Sequence, residues 1–117
     1  MSLTKEDVQG EILKGALVVN VLGENPFADL HIRGSVNVTL KGKSDDDFAA
    51  EINRRFGKER LVITHCSGLT CSAGPRAATI LRGHGFKAED YPGGIEDWKN
   101  AGLPVGGNKA HLQVVQP

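Results

Sequence analysis

Residues 61–86 of this chain, LVITHCSGLTCSAGPRAATILRGHGF, restrict its possible folds more than any other stretch. They open with Leu61, Val62, Ile63 and Thr64, an apolar, β-branched run that reads as a strand buried on both faces. The run ends at His65 and Cys66, and a loop of small residues follows. Pro75 then opens a segment in which Ala77, Ala78, Ile80 and Leu81 share one helical face, and proline suits the first helical position. A strand apolar on both sides needs cover above and below. A strand leading through a loop into a helix points to a parallel sheet rather than a hairpin.

The flanking sequence repeats the alternation. Thr4 with Asp7 resembles a capping box, and Val8, Ile12 and Leu13 recur at helical spacing up to Gly15. Residues 16–22, ALVVNVL, suit a central parallel strand, and 23–26 break it. Phe27, Leu30, His31 and Ile32 lead to Gly34, and 35–38 read as another short strand. Ser44 caps a helix with Asp45, Asp46 and Asp47 in its first turn and Arg54 and Arg55 in its last. Its apolar face is Phe48, Ala49, Ile52 and Phe56, and Gly57 stops it. A brief strand is expected within 86–91. Gly93 and Gly94 then turn into a last helix, anchored by Ile95 and Trp98 and ended by a left-handed Gly102 before Pro104. Residues 106–117 read as a C-terminal tail in which Leu112, Val114 and Val115 could add an edge strand. With no internal repeat or linker, residues 1–117 read as a single α/β domain. It is expected to hold a parallel sheet of about four to five strands, helices on both faces and right-handed crossovers.

Ligands in such folds sit beyond the carboxyl ends of strands, and Cys66 stands at one of those ends. Backbone N–H groups of Ser67, Gly68, Leu69, Thr70, Cys71 and Ser72, with a helix N-terminus behind them, can form a concavity that favours negative charge. A thiolate is negative, as are thiosulfate, phosphate and arsenate. Such an environment lowers a cysteine pKa and makes the sulfur nucleophilic. The plainer alternative is a buried cysteine acting as a small hydrophobe.

Charge and composition narrow the rest. Fourteen basic residues balance fourteen acidic ones, which leaves no electrostatic footprint for nucleic acid. No apolar run is long enough to span a bilayer, so no membrane partner is expected. The start, MSLTKEDV, lacks the charged-then-apolar layout of a signal peptide, which makes a cytoplasmic location the expectation. Two cysteines cannot build a disulfide framework, and a lone Cys-x4-Cys pair lacks structural zinc spacing, so no metal is expected.

Three motifs, agreeing in order and spacing, make the chain resemble a single-domain rhodanese along nearly its whole length. Asn20-Val21-Leu22 with Phe27, His31, Ile32 and Gly34 is similar to the family's Asp-Val-Arg followed by Phe and His-Ile-x-Gly. Cys66 holds the position of the family's sulfur-carrying cysteine. Gly93-Gly94-Ile95, Trp98 and Ala101-Gly102-Leu103-Pro104 resemble Gly-Gly-x-x-x-Trp-x-x-x-Gly-x-Pro. The resemblance implies a three-layer rhodanese-like fold and a sulfurtransferase without cofactor. Cys66 would carry a sulfane sulfur from thiosulfate or a persulfide donor to cyanide, a thiol or a sulfur-carrier protein, and residues 67–72 would hold the anion.

The departures are informative. Asn20 and Leu22 replace Asp and Arg, and the loop reads Cys66-Ser67-Gly68-Leu69-Thr70-Cys71-Ser72, with Cys71 where the family's loop arginine would stand. This resembles a subgroup with Cys-x-Gly-x-x-Cys and implies a wider mouth with less fixed positive charge. A phosphatase or arsenate reductase on the same fold would place arginine six positions after the cysteine. That position is Ser72. A non-catalytic regulatory module is the other alternative. By resemblance the loop curls around the sulfur, so Cys71 either fills its underside, the favoured expectation, or reaches Cys66 as a reversible disulfide. His31 is expected to stabilise a turn by hydrogen bonding, Trp98 to be core or rim, and His65 to face away from Cys66. Arg76 offers charge to an anion or merely lies on a solvated face.

Overall fold

The computed structural model describes residues 2–110. Helix α1, Lys5–Leu13, is held at its start by the expected box: the Thr4 hydroxyl accepts from the Asp7 amide and the Asp7 carboxylate accepts from the Thr4 amide. Strand β1, Leu17–Asn20, and helix α2, Glu24–Asp29, come next. Two short strands follow, β2 at His31–Ile32 and β3 at Val36–Asn37. Helix α3, Asp45–Phe56, is capped by the Ser44 side chain on the Asp47 amide. The second half holds β4, Val62–His65, then α4, Ala73–Gly83, β5, Ala88–Asp90, α5, Gly94–Asn100, and β6, Val105–Gly106.

Strands β3, β1, β4 and β5 form one parallel sheet in that order, with Val19 opposite Thr64 and Asn20 opposite His65. Every residue of β1 and β4 is buried, as their unbroken apolar runs require. The sheet separates two cores. On one face Leu17, Val19, Val62 and Cys66 meet Phe48 and Ile52 of α3 and Ala77 and Leu81 of α4. On the other, Val18 and Ile63 meet Val8 of α1, Tyr91, and Ile95 and Trp98 of α5. Phe48 and Ile52 are wholly enclosed, and each contributes about 1.5–3 kcal/mol through burial. From β1 the chain steps outward to β3, then returns past β1 to β4 and on to β5. The adjacent carboxyl ends of β1 and β4 therefore mark the point where the winding reverses, the usual place for a ligand.

Several expectations need correction. Residues 23–26 do follow the end of β1, but they also begin a helix, since Pro26 is the third residue of α2. Pro75 is likewise third in α4, which starts at Ala73 rather than at the proline. The cause is common to both: first-turn N–H groups have no intrahelical acceptor, so a residue without one is tolerated there. Leu13 is 89% exposed and does not join the apolar face of α1. The tail begins later than residue 106, since β6 pairs antiparallel with β2, Ile32 opposite Val105. Beyond it, the Asn108 and Lys109 amides donate to the Ala28 and Asp29 carbonyls. The possible edge strand at Leu112, Val114 and Val115 lies outside the described residues.

Candidate functional site

Cys66 follows the last residue of β4 and is only 3% exposed. The loop leaving it is fixed from two sides. On one, the first turn of α5 uses its otherwise unpartnered N–H groups: Ile95 donates to the Cys66 carbonyl at 3.2 Å and Glu96 to the Ser67 carbonyl at 3.0 Å. On the other, the Thr64 hydroxyl donates to the Gly74 carbonyl at 2.7 Å and ties the start of α4 to the end of β4. Gly94, with φ near +60°, presses directly on the Cys66–Ser67 peptide, where a Cβ would collide with the Cys66 and Ser67 carbonyl groups. The Gly93-Gly94 pair is thus a close-approach element as well as a helix start.

Within the loop, Ser67 is half-buried, Gly68 is buried beneath Glu96, and Leu69 and Thr70 are exposed. Cys71 is half-buried against the α3/α4 core, and Ser72 is exposed at the helix cap, where its side chain makes no capping bond. Cys66 and Cys71 are joined as a disulfide, their Cα atoms 6.3 Å apart, within the span such bonds require. The expectation that Cys71 only fills the loop's underside is therefore incomplete: it packs there and also bonds the strand-end sulfur. The Cys71 amide donates to the Gly68 carbonyl at 3.1 Å. The amides of Ser67, Gly68, Leu69, Thr70 and Ser72 have no acceptor among the described residues.

The neighbouring histidine and acid behave differently from each other. His65 points to the α1/α5 face, opposite Cys66, as strand alternation requires. Its Nδ1 lies 3.0 Å from the Cys66 carbonyl oxygen, which can only accept, so Nδ1 carries the proton and Nε2 is left without a partner. Burial pushes its pKa down to about 4, which makes it a neutral hydrogen-bond donor to the Cys66 peptide. Asp90, opposite Thr64 in β5, shares the Cys66 face of the sheet. Its Oδ1 would lie 2.8 Å from a Cβ on Gly74, and burial raises its pKa to about 6 against the opposing pull of Arg82. Nothing in the sequence singled out Asp90.

The other candidates fall away from the sulfur. His31 receives no catalytic geometry: its ring stacks on Phe27 and its Nδ1 donates to the Phe27 carbonyl at 2.8 Å, the turn-holding role expected of it. Trp98 is core, with its indole N–H on the Pro104 carbonyl at 2.7 Å. Arg76 is largely exposed and faces Asp45 at 3.5 Å. A cavity of about 640 Å³ opens beside the loop, between Gly68–Thr70, the α1 start and Glu96–Asp97. Neither cysteine lines it, so it flanks the sulfur rather than enclosing it.

A family model described as the Rhodanese-like domain matches residues 4–101. The BH2092 protein of Bacillus halodurans has a similar solved structure, at TM-score 0.79 and 26% identity, covering 94% of this chain and 79% of that one. The rhodanese-like domain of the Alr3790 protein from Anabaena superposes at TM-score 0.74 with 20% identity, covering 92% and 80%, a likeness of fold. A curated relative, the HTH-type transcriptional regulator Rv0324 of Mycobacterium tuberculosis, is 28% identical over 88 residues, or 75% of this chain. The matched part is 36% of that regulator, so this chain spans little more than a third of its length.

Proposed function

The chain belongs to the rhodanese-like domain family, and on that premise we propose that it is a sulfurtransferase whose sulfur carrier is Cys66. The observation that carries this reading is the placement of Cys66: a cysteine at the carboxyl end of a fully buried central strand, under a loop whose amides are largely unpartnered. Starting from the reduced protein, the Cys66 thiolate attacks the outer sulfur of thiosulfate or of a persulfide. With thiosulfate, a Cys66 sulfur–sulfur bond forms, the donor's sulfur–sulfur bond breaks, and sulfite leaves with its electron pair. An acceptor thiolate or cyanide then takes the outer sulfur and regenerates the Cys66 thiolate. The loop amides would stabilise the departing anion and the persulfide as an oxyanion hole does. No cofactor enters these steps. A phosphatase or arsenate reductase gains no support, because Ser72 stands where a guanidinium would clamp the anion.

A second reading, a regulatory module that binds without turning over, is favoured by the relative that is a transcriptional regulator. Sulfite release separates the two. Reduced protein mixed with thiosulfate is expected to release sulfite promptly, in an amount matching the protein, and to continue turning over when cyanide is added. Cys66→Ala should release none. No release by the parent protein leaves the regulatory module as the better account, and equal release by Cys66→Ala removes Cys66 as the carrier.

A further inference from the structure

Building on the sulfur-transfer reading, we propose that Cys71 is a built-in resolving thiol that splits the Cys66 persulfide, so that the domain reduces sulfane sulfur to hydrogen sulfide at the cost of an external dithiol. The bond seen between Cys66 and Cys71 joins the Cys71 sulfur to the sulfur of Cys66 itself, which in a persulfide would be the inner one. Attack there expels the outer sulfur as hydrosulfide. Cys66–S–S⁻ and the Cys71 thiol give the Cys66–Cys71 disulfide and HS⁻: the Cys71 sulfur is oxidised, and the outer sulfur is reduced and takes the proton that Cys71 gives up. A dithiol then exchanges with the disulfide, leaves as its own cyclic disulfide, and returns both cysteines to thiols.

Three features favour attack on that inner sulfur by Cys71 rather than by an outside thiol. Cys66 is 3% exposed, so an outside thiol must enter a closed loop to reach its inner sulfur. Cys71 is already inside the loop, five residues on, and a tethered thiol acts at an effective concentration on the order of millimolar or more. It is also held in place, since its amide bonds the Gly68 carbonyl and its side chain packs on the α3/α4 core. A single loop therefore carries both the sulfur-accepting thiol and the thiol that discharges it.

The test follows the fate of the transferred sulfur. The full chain, reduced and freed of reductant under nitrogen, receives one equivalent of thiosulfate, and sulfite and sulfide are both quantified as bimane adducts. The expected result is one sulfide per sulfite, with the protein two hydrogens lighter and a linked Cys66–Cys71 peptide that dithiothreitol cleaves. Cys71→Ser should release the same sulfite but no sulfide, and should retain one extra sulfur on Cys66. Sulfite without sulfide from the parent protein, with the extra sulfur resting on either cysteine, overturns the resolving role while leaving sulfur transfer intact. No sulfite at all defeats both proposals. Should Cys71→Ser fail to fold, the sulfide-to-sulfite ratio of the parent protein decides alone.

Discussion

Replacing Gly94 by alanine tests whether the start of α5 seats the Cys66 peptide. Two costs apply. The residue has φ near +60°, where a side chain costs roughly 1–2 kcal/mol. The new Cβ would also lie 2.8 Å from the Ser67 carbonyl carbon and in collision with the Cys66 carbonyl oxygen. These are backbone atoms, fixed by the Ile95 and Glu96 amides, so overpacking adds roughly 1–3 kcal/mol. The sum is about 2–5 kcal/mol, or a fall in Tm of roughly 8–20 °C for a domain of this size. Gly102→Ala is the control, since φ is +74° there but nothing lies within 4 Å of the added carbon. Only the backbone term remains, giving a fall of roughly 4–8 °C. Thermal and urea unfolding of both reduced variants measure the difference. Equal losses, or a Gly94→Ala protein as stable as its parent, would refute the seating argument.

Other expectations concern charge. Between about pH 4 and 6.5 the unfolded chain binds the proton that buried His65 refuses, so stability is lost as pH falls, by about 3 kcal/mol in full. Asp90 works oppositely: its folded pKa of about 6 exceeds the ordinary 3.8, so stability is lost as pH rises through that window, again by about 3 kcal/mol. The two slopes nearly cancel in the parent protein. Asp90→Asn should therefore gain stability relative to the parent as pH rises from 4 to 7, and urea midpoints running parallel for the two proteins would contradict this. Arg76→Ala should leave sulfite release unchanged and shift stability by less than about 1 kcal/mol, because its ion pair with Asp45 is exposed. A large rise in KM for thiosulfate would show that the guanidinium does bind the donor. Ser44→Ala should cost about 1 kcal/mol by removing the α3 cap, readable as a urea-midpoint shift.

What could be read from the sequence was local. The Thr4–Asp7 box, the Ser44 cap and the apolar run from Leu61 to Thr64 each carry their cause within a few residues; the first two form as expected, and the run forms β4 one residue later, at Val62–His65. Helix α2 is hidden in the sequence because Pro26, ordinarily a breaker, stands in the first turn, where a residue without an N–H is tolerated. The β2–β6 pair escaped for another reason: two-residue strands have no period, and Ile32 meets Val105 only after the intervening chain has folded. Asp90 follows Glu89 at a strand end and is indistinguishable in sequence from a solvated charge until Gly74 and Thr64 close over it. Leu13 shows the converse, an apolar residue at helical spacing left in solvent once α1 ends. The Cys66–Cys71 bond was open in the sequence because a five-residue separation permits it without requiring it.

The claim that Cys66 accepts the sulfur is tested most directly by following a labelled atom. Reduced Cys71→Ser protein would be treated with thiosulfate labelled only at its outer sulfur, blocked with an alkylating agent, digested and mapped. The account expects the label on the Cys66 peptide as an alkylated persulfide, released as thiocyanate if cyanide is added before blocking. A folded protein with an unlabelled Cys66 peptide, or with label spread over other residues, would contradict it.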